Sequence, residues 1–237
     1  MKVMLLVGTA MAKNPEENFM FCVRKARERL ARSNNRPDFT SHDQQEIESN
    51  SQVLINVGTE PVATAICGIF FHLVSHPHAL VRAVGEVRSA FTSESDITIA
   101  STAQPRLPYL AAVIEEGMRM YPPAPSTFPR RNPPGGCTIC GRLVPGGNSV
   151  GVNQSAVMRS KFAADDKTAY QPFSYGPRSC IGKRLAWAEM RLILSRNLWR
   201  FDPEISTESK SWNVGQKTNA FWEKFPCIVL RPATRSR

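Results

Sequence analysis

The stretch that most constrains this chain is Phe173-Ser-Tyr-Gly-Pro-Arg-Ser-Cys180-Ile-Gly182. It presents a single cysteine and then opens into a helix. Gly176 and Pro177 form a tight turn, the glycine supplying backbone angles that other residues resist. Gly182 lets a second backbone, or a flat ligand, approach closely. From Lys183 to Arg200 the pattern is helical, with Leu185, Ala188, Leu192 and Trp199 on one face and Arg184, Arg191 and Arg200 mostly off it. Cys180 therefore precedes a helix N-terminus. The dipole there, with Arg178 and Lys183 nearby, favours thiolate over thiol. The competing reading is a buried cysteine in an ordinary loop.

Composition sets the outer bounds. The 237 residues are 42% hydrophobic, enough for one sizeable core or two small domains. The 30 Lys and Arg against 20 Asp and Glu give a net charge of +10. Such a surface suits an acidic protein partner, nucleic acid or an anionic membrane. The basic residues are scattered without aromatic interleaving, which makes nucleic acid the weakest of the three. The cysteines are Cys22, Cys67, Cys137, Cys140, Cys180 and Cys227. Setting Cys180 aside leaves an odd number at irregular spacing, which fits a reducing compartment better than a disulfide framework. Met1 to Ala12 holds a short apolar run ending in Ala-Met-Ala, but with Lys2 as its only charge a signal peptide is not the preferred reading. The longest apolar run, Val53 to Val74, contains Asn56, Glu60, Pro61 and His72. It reads as a buried helix and not as a lipid-facing span or membrane anchor.

Taken in order, Asn18 to Arg32 has helical spacing of Phe19, Cys22, Val23, Ala26 and Leu30. A second helix starts at Ser41, where Gln44 completes a capping box, and runs towards Val74. Within it, Val57-Gly58-Thr59-Glu60-Pro61-Val62-Ala63-Thr64 sets a glycine and an acid on one helix, with Pro61 as the reason for any kink. Further helices are predicted over Pro77 to Phe91 and over Pro108 to Tyr121. The apolar face of the latter is Leu110, Val113, Ile114 and Met118. Glu116 and Arg119 lie three apart on this helix, hence side by side. Cys137 to Cys140, Leu143-Val144 and Ser149 to Val152 are strand-like pieces punctuated by glycine, a small hairpin sheet. Zinc needs four ligands, and Cys137-Thr-Ile-Cys140 has no second CxxC or paired histidines downstream, so two unrelated cysteines at a hairpin turn is the preferred reading. Phe201 to Arg237 reads as a closing hairpin.

The spacing of Phe173, Gly176, Arg178, Cys180 and Gly182 resembles the haem-binding signature of the cytochrome P450 family. The resemblance runs from about Phe19 to Leu230 and is strongest from Gln171 to Asp202. It is closest to fungal microsomal members acting on secondary metabolites. It implies a mainly α fold with a small β component, the C-terminal portion of the cytochrome P450 fold. Residues 1–237 then form a single partial domain, with 1–17 unassigned and 231–237 frayed. Cys180 is implied as the axial ligand of haem iron, a thiolate on a shaped loop. Phe173 shields the sulfur, and Arg178 and Arg130 pair with haem carboxylates. Gly176 and Gly182 shape the loop. Glu116 and Arg119 resemble the family's Glu-x-x-Arg pair. Ser126 to Phe128 line a substrate pocket.

The family helix crossing the haem carries an acid followed by threonine for proton delivery. Here Gly58 and Glu60 match, but Pro61 stands in the threonine position, leaving Thr59 or Thr64 to compensate. The resemblance also implies electrons from NADPH through a reductase docked on the basic face around Lys183 and Arg184, and a hydrophobic small-molecule substrate. For full-length members the resemblance implies the cytoplasmic face of the endoplasmic reticulum membrane. Without an anchor, this chain reads as cytoplasmic.

Complete members are roughly twice this length. Segments are shortened between Pro37 and Glu46 and near Met158 to Phe162, where the family has a Pro-Glu-Arg segment that completes the contact with Glu116 and Arg119. Its loss leaves a buried pair under-satisfied. Two functions follow: a haem-dependent monooxygenase inserting one oxygen atom from O2, or a non-catalytic truncated remnant with weak or no haem binding.

Overall fold

The computed structural model describes residues 3–4, 20, 23–25, 27–28, 44–103, 105–126, 129–152, 170–219, 221–222 and 228–232. The expected helix over Asn18 to Arg32 is helical at its described positions, with Val23 buried. Ser41 and the two shortened segments lie outside the described residues, except for the C-terminal end of the first segment.

Among the described residues, four long helices carry most of the core: α1 (Gln44–Ser75), α2 (Pro77–Ala90), α3 (Pro108–Met120) and α4 (Lys183–Arg200). Prolines open α2 and α3 at a position whose N–H would have no helical partner anyway. α1 stays helical through Pro61. Its C-terminal half, with Ile66, Ile69, Phe70 and Leu73, is buried against Val87 of α2, against Leu110, Ile114 and Met118 of α3, and against Met190, Leu194 and Leu198 of α4. The apolar face read for α3 is thus the face that packs, Val113 lying at its margin. Towards its N-terminus α1 is less covered, and Val53, Leu54 and Val57 are exposed there. By length and composition α1 could cross a membrane, and 44% of its most apolar window is buried inside the fold.

The face read for α4 needs correction. Its core stripe is Met190, Leu194 and Leu198, while Leu185 is 58% exposed. The helix is apolar on several sides, so spacing alone does not choose a face. The neighbours choose it, because α1, α2 and α3 all lean on α4.

Interhelical caps fix the assembly. Arg88, in the last turn of α2, donates to the carbonyls of Leu198 (3.2 Å) and Phe201 (3.1 Å) and to the Asp202 carboxylate (2.7 Å), closing the C-terminal end of α4. α1 and α3 cross where glycines replace side chains. A Cβ on Gly68 would stand 2.5 Å from the Tyr121 ring, and one on Gly117 would collide with Ile69. Beside this crossing, buried Trp212 packs on the rings of Tyr121 (5.2 Å) and Phe71 (5.3 Å).

The β structure is peripheral. β1 (Val3–Met4), β6 (Phe201–Ile205) and β9 (Ile228–Pro232) form a sheet in the order β1-β9-β6, all antiparallel. β6 and β9 are the expected closing pair. Pro203 is tolerated because β6 is an edge strand. β7 (Thr218–Asn219) and β8 (Phe221–Trp222) pair between them. The small sheet expected over 137–152 is instead two separate ribbons. β3 (Cys137–Ile139) pairs with β4 (Arg142–Val144), and β5 (Ser149–Val150) pairs with β2 (Arg130–Arg131). Cys140 (φ 49°) and Gly141 (φ 76°) form the two-residue β3–β4 turn with positive φ at both positions, which matches strand twist.

Candidate functional site

The cysteine loop is held by its own backbone. The Cys180 N–H donates to the Phe173 carbonyl at 2.8 Å, closing the loop at its base. Inside it, the Ser179 N–H donates to the Gly176 carbonyl at 2.9 Å across a single 3-10 turn, Gly176–Arg178. Gly176 has φ +72°, so the expected need for glycine is met there. Ser174 also takes a left-handed conformation, φ 59°. Gly182 is the residue that opens α4. A Cβ there would meet only Cys180 Sγ, at 3.8 Å. Protein packing therefore does not demand glycine at 182; its effect is to leave space beside the sulfur.

Cys180 is an exposed, free thiol. Its exposed neighbours along the chain are mixed: Ile181 is 98% and Tyr175 81% exposed and Leu185 faces solvent on the first turn of α4, beside exposed Arg178, Lys183 and Arg184. Phe173 packs on the core, with the Lys183 ammonium 5.7 Å from its ring centre. Arg178 is exposed on the turn. Arg130 is brought to the loop from β2: its guanidinium donates to Ser174 Oγ at 3.2 Å and to its neighbour Pro129's carbonyl at 3.1 Å. Six of the residues singled out in the sequence thus converge: Phe173, Gly176, Arg178, Cys180, Gly182 and Arg130. Ser174, which links the last of them, had no sequence signal.

Glu116 and Arg119 form the expected pair on α3. The guanidinium donates from Nε to Oε2 at 2.7 Å and from a terminal nitrogen to Oε1 at 2.5 Å. This bond raises the Arg119 pKa further. The expectation that the pair is buried is corrected, since the Glu116 side chain is 55% exposed. Among the described residues, the buried side-chain atoms without a hydrogen-bond partner are His72 Nε2, Tyr170 Oη, Arg191 Nε and Ser195 Oγ. Burial lowers the His72 pKa, with repulsion from His76 and Arg119 adding and Glu116 opposing. Neither His72 nor Tyr170 was singled out as a site residue from the sequence.

On α1, Gly58 is exposed and a Cβ there would meet nothing within 4 Å. Glu60 is half-buried. Thr59 is exposed and its hydroxyl donates to the Ile55 carbonyl at 2.7 Å. Thr64, one turn after Glu60, is wholly buried. Ser126 is exposed, and Phe128 lies outside the described residues. Cys137 Sγ donates to Asn132 Oδ1 at 3.1 Å, while Cys140 sits in the β3–β4 turn, so the two cysteines are engaged separately.

The donor set fits a haem: an accessible thiol, space beside it, exposed apolar side chains on the same loop for a macrocycle, and arginines for its carboxylates. Comparison with known proteins agrees. Residues 9–222 match the family model described as Cytochrome P450. The chain is 42% identical to "Cytochrome P450 monooxygenase aclL" of Aspergillus oryzae, over 94% of its own length and 51% of the relative's. It is 40% identical to "Cytochrome P450 monooxygenase atr2" of Stereocaulon alpinum, over 96% and 50% respectively. It is 37% identical to "Fusicoccadiene 8-ol C-16-hydroxylase" of Phomopsis amygdali, over 97% and 50%. The chain spans about half the length of these curated relatives. From its loop geometry and these matches, the chain belongs to the cytochrome P450 family.

Proposed function

We propose that this chain is the cysteine-loop portion of a haem-thiolate monooxygenase that oxidises a hydrophobic small molecule, within fungal secondary metabolism. The observation that carries this reading is the exposed Cys180 thiol on a loop closed by the Cys180–Phe173 backbone bond, with Arg130 tied to the same loop. Bound haem would supply transfer of one oxygen atom from O2 to the substrate, with electrons drawn from NADPH through a reductase. The name of one relative specifies hydroxylation at a carbon position, which supports oxygen insertion.

Within this reading each side chain has a task. Cys180 Sγ would ligate the iron of bound haem, and Gly182 keeps room beside it. Phe173 anchors the loop to the core, and Gly176 permits its turn. Arg130 and Arg178 pair with carboxylates. Glu116 and Arg119 hold α3 against the stem of the loop. Glu60 handles protons near the substrate, helped by Thr64 and Thr59, since Pro61 carries no hydroxyl. The exposed Lys183 and Arg184 offer a cationic landing site for an acidic reductase. Residues 1–237 act as one partial domain of an enzyme on the cytoplasmic face of the endoplasmic reticulum.

The test is reconstitution of the 237-residue chain with haem, reduction, and addition of carbon monoxide. A thiolate-type Soret band is expected, and Cys180→Ser should abolish it with helix content unchanged. A histidine-type band, or none, would instead favour the non-catalytic alternative, to which Pro61 lends weight.

A further inference from the structure

Among the described residues, two that are not glycine take a left-handed backbone, and only one is explained by its turn. Cys140 (φ 49°) sits in the β3–β4 hairpin, where strand twist asks for positive φ. Ser174 (φ 59°) joins no paired strands and lies inside the cysteine loop. A serine there is held against its own preference, and such outliers cluster where side-chain placement matters. Two contacts fix it. Its N–H donates to the Gln171 carbonyl at 2.9 Å, and its Oγ accepts from the Arg130 guanidinium at 3.2 Å, 44 residues away in sequence.

Arg130 is exposed on β2, yet its guanidinium is held at two points, the Ser174 hydroxyl and the Pro129 carbonyl at 3.1 Å. Both acceptors are neutral. Ion pairs among the described residues involve other arginines and lysines and not Arg130. The cation is thus oriented without being neutralised, and the guanidinium has N–H groups to spare. We propose that Ser174 is the positioning residue for Arg130, its left-handed backbone setting the hydroxyl against the guanidinium so that the cation is preset for a haem carboxylate. This rests on the haem site proposed above and adds to it a residue outside the set that marked the loop. A long side chain already held in place loses less rotamer freedom when it meets a planar carboxylate than a free one does.

The experiment titrates the full chain with haemin and with haemin dimethyl ester, whose carboxylates are blocked. In Ser174→Ala the haemin affinity, read from the Soret band, should fall roughly 3–10-fold, the scale of one net hydrogen bond. Ser174→Gly meets the positive φ without strain and should show the same fall, which assigns the loss to the hydroxyl. The ester should bind the parent and both variants equally. Without haem, nitrogen relaxation at Arg130 Nε should report a more mobile side chain in Ser174→Ala. A parent chain without a thiolate-type band after reduction and carbon monoxide would overturn the haem reading and this proposal together. With that band present, four results would each overturn the proposal alone: an unchanged haemin affinity in Ser174→Ala, a loss confined to Ser174→Ala, an equal loss for the ester, or unchanged Arg130 mobility.

Discussion

Removal of the Glu86 carboxylate should unfasten α3 at its start. The first turn of a helix has N–H groups without helical partners, and here each can be followed. Pro108 has no N–H. Ala111 donates to the Leu107 carbonyl at 3.0 Å. That leaves Tyr109 and Leu110, and both donate to Glu86 on α2, to Oε1 and Oε2 at 2.8 Å each. Leu107, in the N-cap position, offers no side-chain acceptor. Glu86 is thus a bidentate, charge-assisted cap supplied by another helix, favoured also by the helix dipole. Hydrogen bonds to charged groups are worth about 1.5–3 kcal/mol net, and losing an N-cap costs about 1 kcal/mol. Because Glu86 is only half-buried, water recovers part of the loss. Glu86→Ala is therefore expected to cost ~2–3 kcal/mol, and Glu86→Gln, which keeps one acceptor, roughly half as much. For a chain of this size that is a melting-temperature drop of about 4–12 °C for the alanine variant. Urea unfolding measures the energy, and hydrogen exchange at Tyr109 and Leu110 locates it. A cost below about 0.5 kcal/mol, or exchange unchanged at those two amides, would refute the reasoning.

Three other outcomes follow from the same structure. Gly68→Ala should destabilise by about 1–3 kcal/mol or more, since its Cβ would stand 2.5 Å from the buried Tyr121 ring at the α1–α3 crossing; an unchanged urea midpoint would mean the helices separate freely. Pro61→Ala should stabilise the chain by up to about 3 kcal/mol, because it returns an N–H to the interior of α1 and removes a ring clash; thermal unfolding reads the sign. His72 has a folded-state pKa below the ordinary 6.5, so the unfolded chain holds the proton more tightly. Its contribution is then fully present above pH 6.5 and lost as pH falls through the folded value. His72→Gln should flatten the difference in urea midpoint between pH 8 and pH 5, and an identical slope in both proteins would refute the assignment.

The helices were largely legible because their ends carry local chemistry. Pro77 and Pro108 mark N-termini, and the extended residue that must precede each proline marks the break before it. The cysteine loop was legible for the same reason, since Gly176 is required by its own φ. What escaped the sequence is non-local. Nothing near Glu86 announces that it caps a helix 23 residues away. Nothing near Val3 announces pairing with Leu230. The core face of α4 escaped because its apolar residues surround the helix and the neighbours select among them. The Glu116–Arg119 spacing was readable, but its exposure was not, because burial depends on what packs above it.

The same distinction explains why the loop and α1 differ as carriers of function. The loop's geometry is local: one backbone bond from Cys180 to Phe173, one 3-10 turn and one glycine with positive φ set where the sulfur points. Such a feature tolerates much change elsewhere. The proton handling proposed for α1 is not local in that sense. It depends on which way Glu60 and its neighbours face, and Pro61 interrupts the backbone ladder between them. The hydroxyls on either side are already placed, Thr59 on the Ile55 carbonyl and Thr64 inside the core. A thiolate ligand therefore places fewer demands on this chain than proton delivery does. If the proposed function holds, haem binding and efficient turnover should be separable, with Cys180 governing the first and the Glu60–Pro61 turn the second.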